Sequence, residues 1–124
     1  MTFDYRLKKE KDFNLVFNKG KRLFTRNLTV VFFPSNSLKA GFAVSKKHGK
    51  SVQRNRIKRL LRESFRSFLP EIRQNFFFVF IPKVQSDYTL KAFKESMGYL
   101  FKKGGFTAFF YNLNKILIIC LLLS

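Results

Sequence analysis

Residues 39–81 contain two apolar segments with one amphipathic helix between them, and this order constrains the fold more than any other feature. Residues 76–81 read Phe-Phe-Phe-Val-Phe-Ile and are followed by Pro82. A continuous apolar run of this length is typical of a central strand that is buried on both faces. Residues 39–45 also read as a strand. Strand, helix and strand in this order form a crossover unit, which favours a parallel arrangement of the two strands.

The helix predicted over residues 51–68 has one apolar stripe and one basic face. Ser51 is the predicted N-cap, because its hydroxyl can accept a hydrogen bond from a free N–H of the first turn. At about 100° per residue, the stripe extends about 80° on either side of Ile57. It consists of Ile57, Leu60, Leu61, Ser64, Phe65 and Phe68. The opposite arc carries Asn55, Arg56, Lys58, Arg59, Arg62, Glu63 and Arg66. Arg54 lies at the edge of the stripe, where a long side chain can reach outward.

Positive charge is concentrated on this helix and just before it. Lys46, Lys47 and Lys50 precede the helix, so residues 46–66 contain nine Lys or Arg and one Glu. An ordinary solvated helix mixes charge signs to gain favourable i, i+4 pairs, whereas this one carries like charges along its exposed face. Arginine offers planar, bidentate donors for phosphate, and a helix N-terminus adds the positive end of its dipole. The pattern favours an anion-binding face over one that serves solubility alone.

Two further helices and one further strand complete the predicted fold. Residues 7–18 have apolar side chains at helical spacing, and Gly20 ends this helix. Residues 28–33 are β-branched and aromatic, and the turn residues after them predict a hairpin with residues 39–45. Residues 88–102 return to helical spacing. The order is helix, two or three strands, helix, strand, helix, which predicts an α+β fold built as an α/β sandwich with a small central mixed sheet.

Composition indicates one folded domain with a polyanionic partner. The chain has 124 residues and a net charge of +18, which would cause self-repulsion without such a partner. Eighteen Phe residues in a 46% hydrophobic chain argue against disorder. Cys120 is the only cysteine, which excludes an internal disulfide and a Cys-cluster zinc site. A single cysteine also favours a location in the reducing cytoplasm. No signal peptide is expected, because the charged first ten residues are not followed by an apolar segment.

Catalytic chemistry is not visible in the sequence. His48, the only histidine, lies in a Lys-rich turn without a neighbouring acid and is expected to be a loop residue that contacts phosphate or water. The seven acidic residues show neither paired spacing nor metal-ligand spacing. Gly41 and Gly49 are isolated and do not form a phosphate loop. The sequence therefore predicts a binding protein with no catalytic residue and no metal ligand of its own.

Residues 104–124 form a tail that differs from the rest of the chain. Gly104 and Gly105 break the last predicted helix, and residues 116–123 are all apolar. A membrane span needs about twenty apolar residues, so this segment is expected to dock on the core or to remain loose. We therefore divide the chain into a basic domain of residues 1–103 and a tail of residues 104–124.

Two segments carry a resemblance to a known family. One is Ser45-Lys46-Lys47 followed at a fixed gap by Arg54-Asn55-Arg56-Ile57-Lys58-Arg59-Leu60-Leu61-Arg62. The other is Arg6-Leu7-Lys8-Lys9 followed by Asp12-Phe13 and Val16-Phe17. The first resembles the Arg-Asn-Arg signature of the bacterial ribonuclease P protein subunit, and the second is similar to that family's opening helix. The resemblance covers residues 3 to about 103.

This resemblance implies a division of labour between protein and RNA. The catalytic component is an RNA that uses metal ions, so Mg²⁺ is expected in the RNA-containing holoenzyme and no cofactor on the protein alone. The protein binds the catalytic RNA and the 5′ leader of precursor tRNA, and no further protein partner is required. The predicted RNA contacts, with Lys50 and Arg66 added from the charge pattern, are Lys46, Lys47, Lys50, Arg54, Asn55, Arg56, Lys58, Arg59, Arg62 and Arg66.

The resemblance also implies a leader-binding cleft between the first helix and the sheet. Phe13 and Phe17 match the family's aromatic positions there. Val31 aligns where many relatives have an aromatic residue on the sheet side. Two other classes remain open: an RNA-binding or ribosome-associated protein without an enzymatic role, since any basic patch binds phosphate, and a membrane-surface protein, prompted by the tail.

Overall fold

A computed structural model describes residues 5–72 and 74–106, which form three α-helices and four strands. In chain order these are α1 (Glu10–Lys19), β1 (Lys21–Phe24), β2 (Leu28–Pro34), β3 (Lys39–Phe42), α2 (Ser51–Phe68), β4 (Phe76–Pro82) and α3 (Leu90–Gly104). Short 3-10 turns, Lys46–His48 and Leu69–Glu71, precede and follow α2. The predicted order of elements is confirmed, with three strands before α2.

The four strands form one mixed sheet in the order β1-β2-β4-β3. β3 and β4 are parallel, as the crossover pattern predicted, and the other two pairs are antiparallel. β4 is central and carries buried side chains on both faces, so the interpretation of its apolar run is confirmed. The predicted hairpin between residues 28–33 and 39–45 is wrong. Because β4 is apolar on both faces it must lie inside the sheet, and it inserts between β2 and β3.

One face of the sheet is covered by α2 and α3. The predicted apolar stripe of α2 lies here, with Ile57, Leu61 and Phe65 fully buried. The ring of Phe65 lies within about 6 Å of several aromatic rings, including those of Phe80 at 5.7 Å and Phe101 at 6.2 Å. Burial of this stripe fixes the opposite, basic arc of α2 toward solvent.

The other face of the sheet is covered by α1. Val16 is buried against Val31 and Val79 of the sheet. α1 ends at Lys19 with Gly20 as the C-cap, as predicted, but it begins at Glu10 rather than at residue 7. The backbone N–H of Leu7 donates to the carbonyl of Ala40 at 2.9 Å, so the residues before α1 run along the outer edge of β3 instead of joining the helix.

The ends of the other two helices differ slightly from the predictions. Lys50, not Ser51, occupies the N-cap of α2, and no side chain caps this end. The helix predicted over residues 88–102 spans Leu90–Gly104, with the Oγ1 of Thr89 accepting the N–H of Ala92 at 3.2 Å. Gly105 then adopts a left-handed conformation with φ 72°, which ends the helix.

Phe106 closes the described part of the chain as a core residue. It is 2% exposed, and its ring centroid lies 4.9 Å from those of Phe32 and Phe76. The predicted domain boundary at residue 103 therefore falls before this buried ring. The apolar run of residues 116–123 and Cys120 lie outside the described residues. Among residues 5–72 and 74–106, no helix combines the length and apolar character needed to span a membrane.

Candidate nucleic-acid interface

The basic arc of α2 is solvent-facing along most of its length. Asn55, Arg56, Arg59 and Arg66 are exposed, whereas Lys58 and Arg62 are half-buried beside the N-terminal segment. Glu63 is the only acid on this arc. Like charges repel along a helix, so this face is stabilised by an anion that can neutralise several cations together.

Two arginines of α2 hold unpartnered donors. The Nε atoms of Arg54 and Arg62 are buried and have no hydrogen-bond partner among the described residues. Arg54 is half-buried, so its predicted outward reach applies only to part of the side chain. A buried donor without an acceptor costs free energy, and a phosphate oxygen would satisfy it.

The lysine turn, defined here as Lys46 to Lys50, presents three exposed cations beside the start of α2. Lys46, Lys47 and Lys50 are all exposed. Gly49 has φ 121°, a conformation that L side chains rarely adopt, and this allows the chain to turn into α2. The turn therefore places its cations next to the N-terminus of the helix, where unsatisfied N–H groups add to the positive potential.

His48 fastens the lysine turn to the sheet, and its predicted role as a solvent-facing loop residue is wrong. Its side chain is buried at 8% exposure. Its Nδ1 accepts the N–H of Ser45 at 3.1 Å, and its Nε2 donates to the carbonyl of Pro82 at 2.7 Å. This pattern fits the neutral Nε2–H tautomer. The partner Pro82 is 34 residues away, which is why local sequence context gave no sign of it.

A second contact connects α2 with the segment between β4 and α3. The Nη2 of Arg56 donates to the carbonyl of Tyr88 at 3.2 Å. Tyr88 itself is buried, and its hydroxyl accepts the N–H of Gln85 at 3.0 Å. Arg56 therefore uses one of its five donors to hold the fold, although the residue as a whole is exposed.

The leader-binding cleft is predicted between α1 and the sheet. Phe13 and Phe17 are half-buried, with ring centroids 6.5 Å apart and an interplanar angle of 22°. The ring of Phe13 lies directly over Gly41 of β3. Val31 is fully buried and packs in the same cluster as Val16 of α1, so it supports this helix, and its place in the leader-binding cleft stays a prediction.

The structure adds cations that the sequence prediction did not include among the contacts. Arg6 and Lys8, on the segment beside β3, lie next to Lys58 and Arg62 of α2. Their charge and their place in the Arg6-Leu7-Lys8-Lys9 segment marked them in the sequence, but the pairing of this segment with β3 depends on residues more than thirty positions away. Within the two described ranges, no three His, Cys, Asp or Glu side chains come together as a metal site.

Comparison with known proteins identifies the family. A family model described as Ribonuclease P matches residues 1–105. The chain belongs to the ribonuclease P protein family. The ribonuclease P protein component of Caldanaerobacter subterraneus subsp. tengcongensis is 40% identical over 101 residues, covering 79% of this chain and 87% of that protein. The resemblance found in the sequence is thereby confirmed, and family membership makes the chain an accessory protein subunit of the ribonuclease P endoribonuclease.

Solved structures of the ribonuclease P protein family share this fold. The ribonuclease P protein of Staphylococcus aureus superposes with a TM-score of 0.75 at 28% identity, covering 85% of this chain and 99% of that one. The protein from Thermotoga maritima gives a TM-score of 0.71 at 30% identity, covering 79% and 96%. The predicted α+β class with a small mixed sheet is therefore confirmed.

Proposed function

We propose that this chain binds the catalytic RNA of ribonuclease P through the lysine turn and the basic arc of α2, and the 5′ leader of precursor tRNA in the cleft beside α1. The particle so formed removes the leader and leaves the mature 5′ end of the tRNA. The observation that carries this proposal is the largely exposed basic surface of residues 46–66, held to the sheet by His48 and to the segment before α3 by Arg56.

The fixed placement of this surface on a helix and a hydrogen-bonded turn supports the proposal that it binds a folded RNA. Long basic side chains on a mobile loop bind phosphate without geometric preference, whereas a helix and a fastened turn hold their cations at fixed spacing. Arginine is also the residue suited to bidentate phosphate contacts. The predicted contacts on α2 and the lysine turn, from Lys46 to Arg66, therefore form one continuous protein surface for the RNA subunit.

The cleft has the character of a single-strand site. Phe17 offers a partly accessible ring, and exposed lysines on and beside α1 stand around it: Lys8, Lys9, Lys11 and Lys19. Aromatic rings that stack bases, combined with cations that track the backbone, are the usual design of sites for unpaired nucleic acid. The unpaired leader is the part of precursor tRNA that suits such a cleft.

In this proposal the RNA subunit catalyses cleavage of the leader. Mg²⁺ would enter with the RNA subunit, since the described protein residues offer no ligand cluster to hold it. The protein contributes affinity and orientation. We place the particle in the cytoplasm, where precursor tRNA is found, and infer no need for another protein or for a membrane.

Reconstitution tests the proposal directly. Protein, candidate catalytic RNA and end-labelled precursor tRNA are combined with Mg²⁺, and the position of cleavage is mapped. We expect cleavage at the mature 5′ end that is stimulated by the protein and absent with nuclease-free protein alone. Specific cleavage by the protein alone would overturn the division of labour, and co-purification with ribosomal particles in place of one structured RNA would favour a ribosome-associated role.

A further inference from the structure

A groove lies between α3 and the turn that joins β1 to β2, and we call it the β1–α3 groove. It has a volume of about 480 Å³, within the range of about 300 to 1,000 Å³ that is usual for ligand sites. β1 and β3 are the two opposite edges of the sheet, so the groove lies away from the lysine turn and the basic arc of α2. Its lining residues are Phe24, Thr25, Arg26, Glu95, Ser96 and Tyr99.

Two aromatic rings of this groove are unusually accessible. Among the residues that the structure describes, four large apolar or aromatic side chains are strongly exposed. The two aromatic ones, Phe24 at 57% and Tyr99 at 54%, both line the β1–α3 groove. An accessible ring is a flat apolar surface on which a nucleic-acid base can stack. The pair therefore favours a flat, aromatic occupant.

Cations stand beside these rings and favour an occupant that is also anionic. Arg26 is exposed and lines the groove. The Nζ of Lys103 lies 5.8 Å from the centroid of the Tyr99 ring. Rings that stack bases, combined with cations that contact phosphate, are the usual design of sites for unpaired nucleic acid. The combination favours a nucleotide over an apolar segment of a protein.

Glu95 gives the groove a means of selecting one base. It is exposed, it is the only acid among the six lining residues, and it lies one helical turn before Tyr99 on α3. A carboxylate accepts hydrogen bonds and donates none. On its Watson–Crick edge guanine presents two adjacent donors, N1–H and the N2 amino group, whereas each other RNA base presents one donor beside acceptors. The carboxylate of Glu95 therefore matches guanine.

Hydrogen bonds hold the two walls of the groove together. The Oγ of Ser96 donates to Oδ1 of Asn27, which connects α3 with the turn after β1. Within this turn, Oγ1 of Thr25 accepts the N–H of Leu28 at 3.0 Å. A site that is formed before its ligand arrives loses less conformational entropy on binding.

We propose that the β1–α3 groove binds an unpaired guanosine of an RNA, with its base stacked on Tyr99, its Watson–Crick edge donating to Glu95 and its phosphate contacted by Arg26. This inference goes beyond the proposed function, because the groove shares no residue with the surfaces assigned to the catalytic RNA and to the leader. Failure of this inference would therefore leave the reconstitution result unaffected.

The test follows backbone amide signals of the full-length protein by NMR while short RNAs are added. The probes are UUGUU, UUAUU and UUCUU, which differ only in the central base. We expect saturable shifts of the amide signals of Arg26, Ser96 and Tyr99. Saturation should need a several-fold lower concentration of UUGUU than of the other two RNAs.

Three variants at exposed side chains separate the three contacts. Glu95→Gln should abolish the preference for UUGUU and leave the affinity for UUAUU unchanged. Tyr99→Ala should weaken binding of all three RNAs at this groove by about fivefold or more, the loss of one stacked base. Arg26→Gln should reduce the slope of log affinity against log salt concentration by about 0.7 for each RNA. Glu71→Gln is the matched control, because it removes an exposed carboxylate outside the groove and should leave the guanine preference intact.

Several outcomes would overturn the inference. If none of the RNAs shifts these amide signals, the groove serves a partner of another class, such as a protein. Equal affinity for the three RNAs, or a guanine preference that survives Glu95→Gln, would show that the groove does not select guanine. Free GMP distinguishes the source of the ligand, since GMP that binds as tightly as UUGUU would assign the groove to a free nucleotide and not to RNA.

Discussion

Gly41→Ala provides a direct test of how α1 and the cleft are held on the sheet. A Cβ at Gly41 would lie 2.5 Å from Cζ and 2.6 Å from Cε1 of Phe13, about 1 Å closer than carbon atoms approach at optimal contact. Phe13 must therefore leave its position above β3. Overpacking of this kind costs about 1 to 3 kcal/mol of unfolding free energy.

The functional consequence should be confined to the cleft. Displacement of Phe13 changes the wall of the proposed leader site, while α2 lies on the opposite face of the sheet. We expect weaker binding of precursor tRNA by the reconstituted particle, with affinity for the RNA subunit and for leaderless tRNA unchanged. Urea unfolding gives the stability change, and filter binding gives the affinities.

The chain offers a matched control and a rescue for this experiment. At Gly98 in α3 the nearest atom to an added Cβ is Cζ of Phe68 at 3.4 Å, so Gly98→Ala fits and should be neutral or stabilising, by up to about 1 kcal/mol from helix propensity. Phe13→Leu in the Gly41→Ala background removes the clash and should restore part of the stability. If Gly41→Ala unfolds with the stability of the parent chain, Phe13 is not locked above β3 and the reasoning fails.

Three further predictions concern the cleft, the basic arc and the tail. Phe17→Ala should weaken binding of precursor tRNA by about 1 to 3 kcal/mol, the value of one stacked base. It should lower the free energy of unfolding by less than Phe65→Ala, for which a loss of about 3 to 5 kcal/mol is expected. Equal losses of stability would show that Phe17 is a core residue. Arg59 and Arg66 are both exposed, and replacing both with Gln should reduce the slope of log affinity for the RNA subunit against log salt concentration by about 1.4 to 1.8. An unchanged slope would show that these two residues do not contact phosphates of the RNA subunit. Truncation after Phe106 should retain reconstituted cleavage and improve solubility, because it removes a segment rich in apolar residues. If circular dichroism shows that the truncated protein is unfolded, the tail is needed for the core.

The features that sequence predicted well are those that depend on local periodicity. The apolar run of β4 and the stripe of α2 are visible in a window of a few residues, and each defines which face is buried. The strand neighbours were not predictable in this way. A hairpin between β2 and β3 satisfies every local rule, and only the need to bury both faces of β4 excludes it.

The packing around the site that sequence did not predict has the same origin, because it depends on contacts between residues far apart in the chain. His48 stands among lysines and glycine, yet its ring is buried because the end of β4 supplies a carbonyl acceptor. Val31 alternates correctly with its neighbours to face α1, but sequence could not show that the helix covers it completely. The Arg-Asn-Arg helix needed no such long-range information, since its basic arc follows from the opposite apolar stripe.

The central position of β4 also dictates when the chain can fold during synthesis. Of the four strands in the described residues, β4 is the last to leave the ribosome, and both β2 and β3 need it as a neighbour, so the four-stranded sheet cannot assemble before about residue 82 is available. The lysine turn waits for the same event, because the carbonyl that receives the hydrogen bond of His48 is that of Pro82. A shorter nascent chain carries most of the positive charge without the fixed arrangement of the proposed RNA-binding surface. The order of the strands thus delays the appearance of that surface until most of the domain has been made.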